Sequence, residues 1–318
     1  MRAAALTGLG AHRPARRDGN AGIAARIDSS DEWIRERSGI ATRGVAGEDE
    51  GVVDMAVTAG GKALAAAGVD PSDVDLVLLA TCSMPGPLPG GSPEVAAQLG
   101  AHRSGASDIG AGCAGFTYAL ALAADSVRAG TCDHVLVIGA EKLLPMVDPD
   151  DRGTAFLFGD GAGAAVVSLA PGHAVGQDGI GRVVWAHDGD QHGRLVIDGS
   201  PLRLKMEGRA IYRWATTVLP DLARTACARA GIELGDLAAF VPHQANLRIT
   251  ESVVKSLDLP SSVVVSRDVV ESGNTSAASV PLALARLAEQ GAITRGDAVL
   301  LLGFGAGLTA AGQVVRCP

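Results

Sequence analysis

The chain repeats itself. Residues 67–77, AGVDPSDVDLV, share their pattern with residues 230–240, AGIELGDLAAF, at an offset of 163 residues (67 to 230). The same offset lays GAGCAG (110–115) over GNTSAA (273–278) and matches the apolar phase of LALAAD (120–125) to ALARLA (283–288). One residue further, VLVIG (135–139) overlays VLLLG (299–303). Four elements in one order at nearly one offset describe two halves descended from one unit, packed as pseudo-twofold partners. The halves are expected to span 1–171 and 172–318, joined near LAPGHAVGQDG (169–179), where Pro and Gly cluster.

Within each half, short apolar runs alternate with Ala-rich segments. VDLVLLAT (74–81), HVLVIGA (134–140), AAFVPH (238–243) and AVLLLGF (298–304) are too short for helices and rich in Val and Leu, as strands buried on both faces are. Segments 55–67, 117–129, 216–230 and 280–290 have helical spacing. The alternation predicts a layered α/β architecture. Of the 318 residues 47% are apolar but only 3% aromatic, so the core must be built from close-packed small aliphatic side chains.

Charge and cysteine usage narrow the function. A net charge of -8 argues against a general nucleic-acid binder, though an acidic protein can still carry a local basic patch. The five cysteines form no C-x-x-C pair, so neither a disulfide framework nor a zinc site is expected. The amino-terminal stretch lacks the sustained apolar region of a signal peptide, and no run of 18 apolar residues suggests a membrane span. The expected setting is soluble and cytoplasmic.

Chemistry concentrates at three places. Cys113 sits in DIGAGCAGF, with Gly110 and Gly112 before it and Gly115 after. Small neighbours allow a sharp turn and close approach by a substrate, and a helix starting just beyond would aim its positive end at the sulfur. A lone cysteine is as often a small core residue, so Cys113 needs partners. His243, in FVPHQANLRI, lies just past a buried strand, where ligands gather in α/β sheets. Asn274, in ESGNTSAAS, occupies the matching turn of the second half, although Asn is also a common turn and cap residue. The glycine-rich GDGAGAAVV (159–167) leads into a strand-like run, and GFGAG (303–307) has too little chain after it for a binding helix. Neither supports a nucleotide site.

Taken together, AGCAGFTYAL (111–120), RGTAFLFGDGAGAAVV (152–167), VPHQANLRI (241–249) and SGNTSAASVPLAL (272–284) closely resemble β-ketoacyl-acyl-carrier-protein synthase III, of the thiolase superfamily, as does SSDEWIRERSGIATR (29–43). The resemblance implies an α/β, thiolase-like duplicated five-layered αβαβα fold with two pseudo-twofold-related halves. It implies an acyltransferase in which Cys113 takes an acyl group from acyl-coenzyme A. His243 and Asn274 then stabilise the enolate left when malonyl-acyl carrier protein loses carbon dioxide. The backbone N–H groups of Cys113 and Ala306 would hold the thioester oxyanion. Trp33 would stack on the coenzyme A adenine, with Arg37 and Arg152 close by. Arg213, Arg248 and Lys255 would form a basic patch for the acidic carrier; Arg248 and Lys255, seven apart, share a helix face.

Leu88, in TCSMPGPLPGGSPE (81–94), aligns with a phenylalanine that closes the acyl pocket in acetyl-preferring members. A deeper pocket gains roughly 0.8 kcal/mol for each added methylene it buries, favouring starters of about four or more carbons. The resemblance further implies a homodimer, with no metal, no permanently bound cofactor, and no nucleic-acid or membrane partner. Three alternatives stay open: a starter-unit synthase for polyketides, an acyl-coenzyme A-dependent transferase to another acceptor, and a cysteine-type α/β thioester hydrolase, for which G-x-C-A-G resembles a nucleophile elbow.

Overall fold

Both faces of each Val/Leu run find an apolar layer, which is why these runs become central strands. In residues 134–141, Val135 and Val137 join a core between two sheets, while Leu136 and Ile138 join a second core on the outer side. In 298–305, Val299 and Leu301 face the same inner core and Leu300 and Leu302 an outer one. The computed structural model describes residues 2–86, 88–170 and 179–318.

The first half contains β1 (Ala4–His12), β2 (Arg17–Gly19), β3 (Thr42–Gly44), β4 (Leu76–Ala80), β5 (Gly105–Ile109), β6 (His134–Glu141) and β7 (Gly161–Leu169). Its helices are α1 (Ala21–Arg26), α2 (Asp31–Ser38), α3 (Val52–Ala67), α4 (Ser92–Leu99) and α5 (Gly115–Ala129). The second half contains β8 (Val184–His187), β9 (Leu195–Asp198), β10 (Arg203–Met206), β11 (Ala239–Pro242), β12 (Val264–Val265), β13 (Ala298–Gly305) and β14 (Thr309–Arg316). Its helices are α6 (Gly208–Ala230), α7 (Leu247–Leu257), α8 (Val269–Ser272) and α9 (Ser279–Glu289).

Two five-stranded sheets share one topology: β1-β7-β6-β4-β5 in the first half and β8-β14-β13-β11-β12 in the second. In each, the strand fourth from that edge runs parallel to both neighbours (β4 with β5 and β6; β11 with β12 and β13). In each, the second strand runs antiparallel to both of its own (β7 with β1 and β6; β14 with β8 and β13). Helices α5 and α9 lie between the sheets, α3 and α4 cover the outside of the first, and α6 and α7 cover the outside of the second. This is the duplicated αβαβα arrangement. The segments expected as helices correspond to α3, α5, α6 and α9, and the four apolar runs to β4, β6, β11 and β13.

The duplication is real, but its register differs in one place. β4 and β11 are offset by 163 residues (76 to 239), whereas α5 and α9 (115 to 279) and β6 and β13 (134 to 298) are offset by 164. The short 3-10 turns before α5 and α9, Gly112–Ala114 and Ser276–Ala278, follow the 164 offset, so Cys113 is equivalent to Ala277 rather than to Ser276. Gly, Ala and Ser look alike at either register, which is why the sequence overlay places the extra residue after this turn and the structure before it. The boundary expected at 171/172 lies outside the described residues. Among those described, no helix is long and apolar enough to cross a membrane.

Candidate active site

β5 ends at Ile109, and the chain turns through Gly112–Ala114 directly into α5. Cys113 therefore occupies the entry turn of a central helix, 8% exposed. Gly112 has a left-handed φ of 50°, and a Cβ there would come within 3.0 Å of the Ala306 Cβ. From the other half, a Cβ on Gly305 would lie 2.7 Å from the Cys113 Cβ and 2.8 Å from its N. Two absent side chains thus let the Cys113 turn and the β13–β14 turn touch, bringing the backbones of Cys113 and Ala306 together. Burial pushes the Cys113 thiol up to about 12.

His243 follows β11 directly, its N–H donating to the Leu302 carbonyl at 2.7 Å. Its ring is 2% exposed, and burial pushes it down to about 3, so it is neutral across the physiological range. Nδ1 lies 2.6 Å from Ser279 Oγ at the start of α9, and the Gln244 N–H donates to that same oxygen at 3.3 Å. Nδ1 and the Ser279 hydroxyl share that hydrogen bond, and the tautomer in which the hydroxyl donates is the one in which Nε2 carries the proton. The Phe304 ring packs edge-on against the imidazole, centroids 4.9 Å apart, and Phe304 immediately precedes the Gly305 that abuts Cys113.

Asn274 is fixed by its neighbour. Its Oδ1 accepts the Ser276 N–H at 2.8 Å, so the amide oxygen is occupied and the NH2 is the group left to act. The structure thus assembles Cys113, His243, Asn274 and Ala306 through contacts between the two halves. A buried thiol, a neutral imidazole and an amide brought to adjoining turns form a set whose chemistry suits covalent acyl transfer and the holding of an enolate without introducing an anion.

Sequence reasoning missed several members of this site. Gln244, fully buried, donates from Nε2 to the Pro242 carbonyl at 2.6 Å and accepts the Val269 N–H at 3.0 Å, bracing the His243 loop. Glu141, at the end of β6, is fully buried beside Cys82, Ser83 and Ser276. Its signal was a lone acid closing an otherwise apolar strand run. Arg43, 1% exposed, donates to Asn20 Oδ1 at 2.7 Å and to the Phe156 carbonyl at 3.0 Å, supporting the ring that packs on Trp33.

The other expected residues fall into three places. Trp33 is set by the Ser30 cap of α2, whose hydroxyl accepts the Trp33 N–H at 3.1 Å. The guanidinium carbons of Arg37 and Arg152 lie 5.3 and 5.0 Å from its ring centroid, so the three side chains form one cluster. Arg213, Arg248 and Lys255 are exposed on α6 and α7, and Arg248 sits 5.9 Å over the ring of Tyr212, next to Arg213. Leu88 stands apart: it is 86% exposed, and the isolated chain does not enclose it.

Comparison with known proteins decides the family. The family described as 3-oxoacyl-[acyl-carrier-protein (ACP)] synthase III matches residues 107–189, and its C-terminal counterpart matches residues 227–317. A β-ketoacyl-[acyl-carrier-protein] synthase III of Streptomyces coelicolor is 52% identical over 314 residues, covering 98% of each chain. The chain belongs to the β-ketoacyl-acyl-carrier-protein synthase III family. A second synthase III, from Streptomyces avermitilis, is 50% identical over the whole of both chains. Among solved structures, the priming β-ketosynthase of the R1128 polyketide pathway superposes with a TM-score of 0.96 at 44% identity, covering 100% of this chain and 97% of that one. The Aquifex aeolicus synthase III superposes with a TM-score of 0.92 at 36% identity, over 99% of this chain and all of the other. As a synthase III, the chain has the thiolase-like fold and is an acyltransferase that performs decarboxylative Claisen condensation, initiating fatty-acid or polyketide synthesis.

Proposed function

We propose that Cys113 accepts an acyl group from acyl-coenzyme A and that His243 and Asn274 then drive condensation with malonyl-acyl carrier protein. The observation that supports this reading is the contact of the Cys113 turn with Gly305 and Ala306; in this reading the backbone N–H groups of Cys113 and Ala306 face one acyl oxygen. In the first half-reaction the thioester carbonyl oxygen is held by these groups while coenzyme A leaves. In the second, the His243 Nε2–H and Asn274 NH2 hold the enolate oxygen, and the carbanion attacks the Cys113 thioester. A hydrolase reading does not require the Asn274 amide that Ser276 orients.

The Trp33, Arg37 and Arg152 cluster is the surface for the coenzyme A adenine, and Arg213, Arg248 and Lys255 are the surface for the carrier. An 86% exposed leucine can wall an acyl pocket only when something covers it. A second copy of the chain would do so, and β5, at the partly exposed edge of the first sheet, offers the place for it. The expected assembly is a homodimer. All five cysteines are free thiols, consistent with a reducing, cytoplasmic setting. The likeness to a priming ketosynthase of a polyketide pathway supports a starter-unit role, and a starter longer than acetyl rests on Leu88 in place of a phenylalanine. Incubation with a panel of acyl-coenzyme A thioesters, read by intact-protein mass, tests the reading: one acyl adduct on Cys113 is expected, largest for starters of about four or more carbons.

A further inference from the structure

Behind the Trp33, Arg37 and Arg152 cluster lies a buried amide that does not do its usual job. Asn20 stands at the N-cap of α1, a position where Asn ordinarily caps, yet its side chain makes no capping bond. It is 2% exposed and turned inward. Nδ2 donates to Asp31 Oδ1 at 2.7 Å and to the Ile40 carbonyl at 2.8 Å. Asp31 opens α2 and Ile40 lies just past its capping Gly39, so one amide group grips both ends of the helix that carries Trp33 and Arg37. Oδ1 accepts from Arg43 Nη2 at 2.7 Å. A guanidinium only donates and a carbonyl only accepts, which fixes the amide in this orientation.

Arg43 carries the grip to a second element. Besides Asn20 it donates to the Gly19 carbonyl at 3.2 Å and the Phe156 carbonyl at 3.0 Å, all of them uncharged acceptors. Asp18, its register partner across β2 and β3, gives its oxygens to Arg16 at 2.9 and 2.7 Å. A buried cation held only by neutral acceptors is costly, and what Arg43 offers in return is a planar fork that reaches several of them at once. Phe156 lies four residues after Arg152, and its ring stands edge-on to Trp33 with centroids 5.3 Å apart. The far end of this segment is pinned independently: the Leu157 carbonyl accepts the Asn274 N–H at 2.8 Å, and the Asn274 carbonyl accepts the Gly159 N–H at 3.0 Å.

We propose that Asn20 and Arg43 are positioning residues that hold α2 and the Arg152–Phe156 segment in register, so that Trp33, Arg37 and Arg152 meet as one surface for the adenine end of a coenzyme A thioester. Both are buried, so each acts through the element it holds and not by touching the ligand. The inference rests on the reading of that cluster as the coenzyme A surface.

The geometry of the cluster shows why register matters. Arg37 shares α2 with Trp33, whereas Arg152 comes from the segment that Arg43 holds at Phe156. The Arg152 guanidinium carbon lies 5.0 Å from the Trp33 ring centroid. A slip of about 1 Å between the two elements takes it to the roughly 6 Å limit of a cation–π contact, while Arg37 moves with the ring. A defect of this kind follows the adenine end of the ligand and not its acyl group.

Steady-state kinetics with paired substrates test the hub: an acyl-coenzyme A, and the pantetheine thioester of the same acyl group, which lacks the adenine nucleotide. The quantity read is the ratio of their kcat/KM values. Asn20→Asp keeps the shape and the bond from Arg43 but loses both donations to α2, and Arg43→Met removes the fork. Each should lower the ratio about tenfold, mainly through KM for acyl-coenzyme A, and Arg43→Lys should recover part of the loss. Asn20→Asp, close to isosteric, keeps a folded test if Arg43→Met fails to fold. Trp33→Ala serves as the reference for the coenzyme surface. A ratio that falls in Trp33→Ala but stays at the wild-type value in folded Asn20→Asp or Arg43→Met overturns the hub. So does an equal loss with both thioesters, the mark of a general loosening of the fold. If Trp33→Ala itself leaves the ratio at the wild-type value, the cluster is not the adenine surface, and this inference falls with that reading.

Discussion

The site depends on which groups are uncharged. His243, pushed down to about 3, can donate from Nε2 to an enolate throughout the working range. Condensation from preformed acyl-enzyme should therefore show no loss with an apparent pKa near 6.5 between pH 5 and 8. Such a limb in the pH–rate profile, absent in His243→Gln, would contradict a neutral imidazole. Stability carries the same signature. Below about pH 6.5 the unfolded chain gains a proton that the buried ring refuses until about 3, so stability falls as pH drops through that window. Cys113 acts at the other end: the unfolded thiol ionises near 9 and the buried one near 12, so stability falls as pH rises between them. Packing at the nucleophile is equally tight. A methyl at Gly305, 2.7 Å from the Cys113 Cβ, must displace the turn, and Gly305→Ala should slow acylation about 10²-fold. Wild-type acylation by that variant would show that the contact does not set the geometry.

Helix ends place the residues to which the proposed chemistry is assigned. α5 presents Cys113, α9 presents Ser279 behind His243, and α7 begins with Asn246, whose Oδ1 caps the Arg248 N–H at 2.9 Å. The Asn246 amide also donates to the Arg37 carbonyl at 3.1 Å, tying α7, proposed to face the carrier, to α2, proposed to face coenzyme A. Asn246→Ala should cost about 1 kcal/mol and raise KM for acyl-coenzyme A with kcat little changed, as seen by thermal melting and steady-state kinetics. Unchanged melting and KM would show the link to be idle. Elements of this kind were legible to different degrees. The Val/Leu runs and the Ala-rich helices stood out because burial on both faces leaves an uninterrupted apolar signature. Cys113, His243 and Asn274 drew notice through glycine framing, a strand end and the duplication, but none decided the matter alone, and their roles came from the family resemblance. Glu141, Gln244 and Ser276 did not, because their roles come from long-range contacts that no local pattern records. The register of the nucleophile turn was also hidden, since Gly, Ala and Ser fit either alignment.

In the proposed reaction the duplicated molecule divides labour between its halves. The first would supply Cys113 as nucleophile with its helix, the second His243, Asn274 and the Ala306 turn, and the two meet where Gly112 and Gly305 lack side chains. Assembly adds another level, because Leu88 at 86% exposure can shape an acyl pocket only in a larger complex. Leu88→Phe should shift preference toward acetyl-coenzyme A in competition assays, while an unchanged starter profile would remove Leu88 from the pocket. The division itself is tested most directly by intact-protein mass after acyl-coenzyme A is added, and again after malonyl substrate follows. Wild type should gain one acyl group on Cys113 and then lose it to condensation, and Cys113→Ala should gain none. Asn274→Ala should acylate normally but hold the acyl group about 10²–10³ times longer. An acyl group mapped to another cysteine, or equal loss of both half-reactions in Asn274→Ala, would contradict the account.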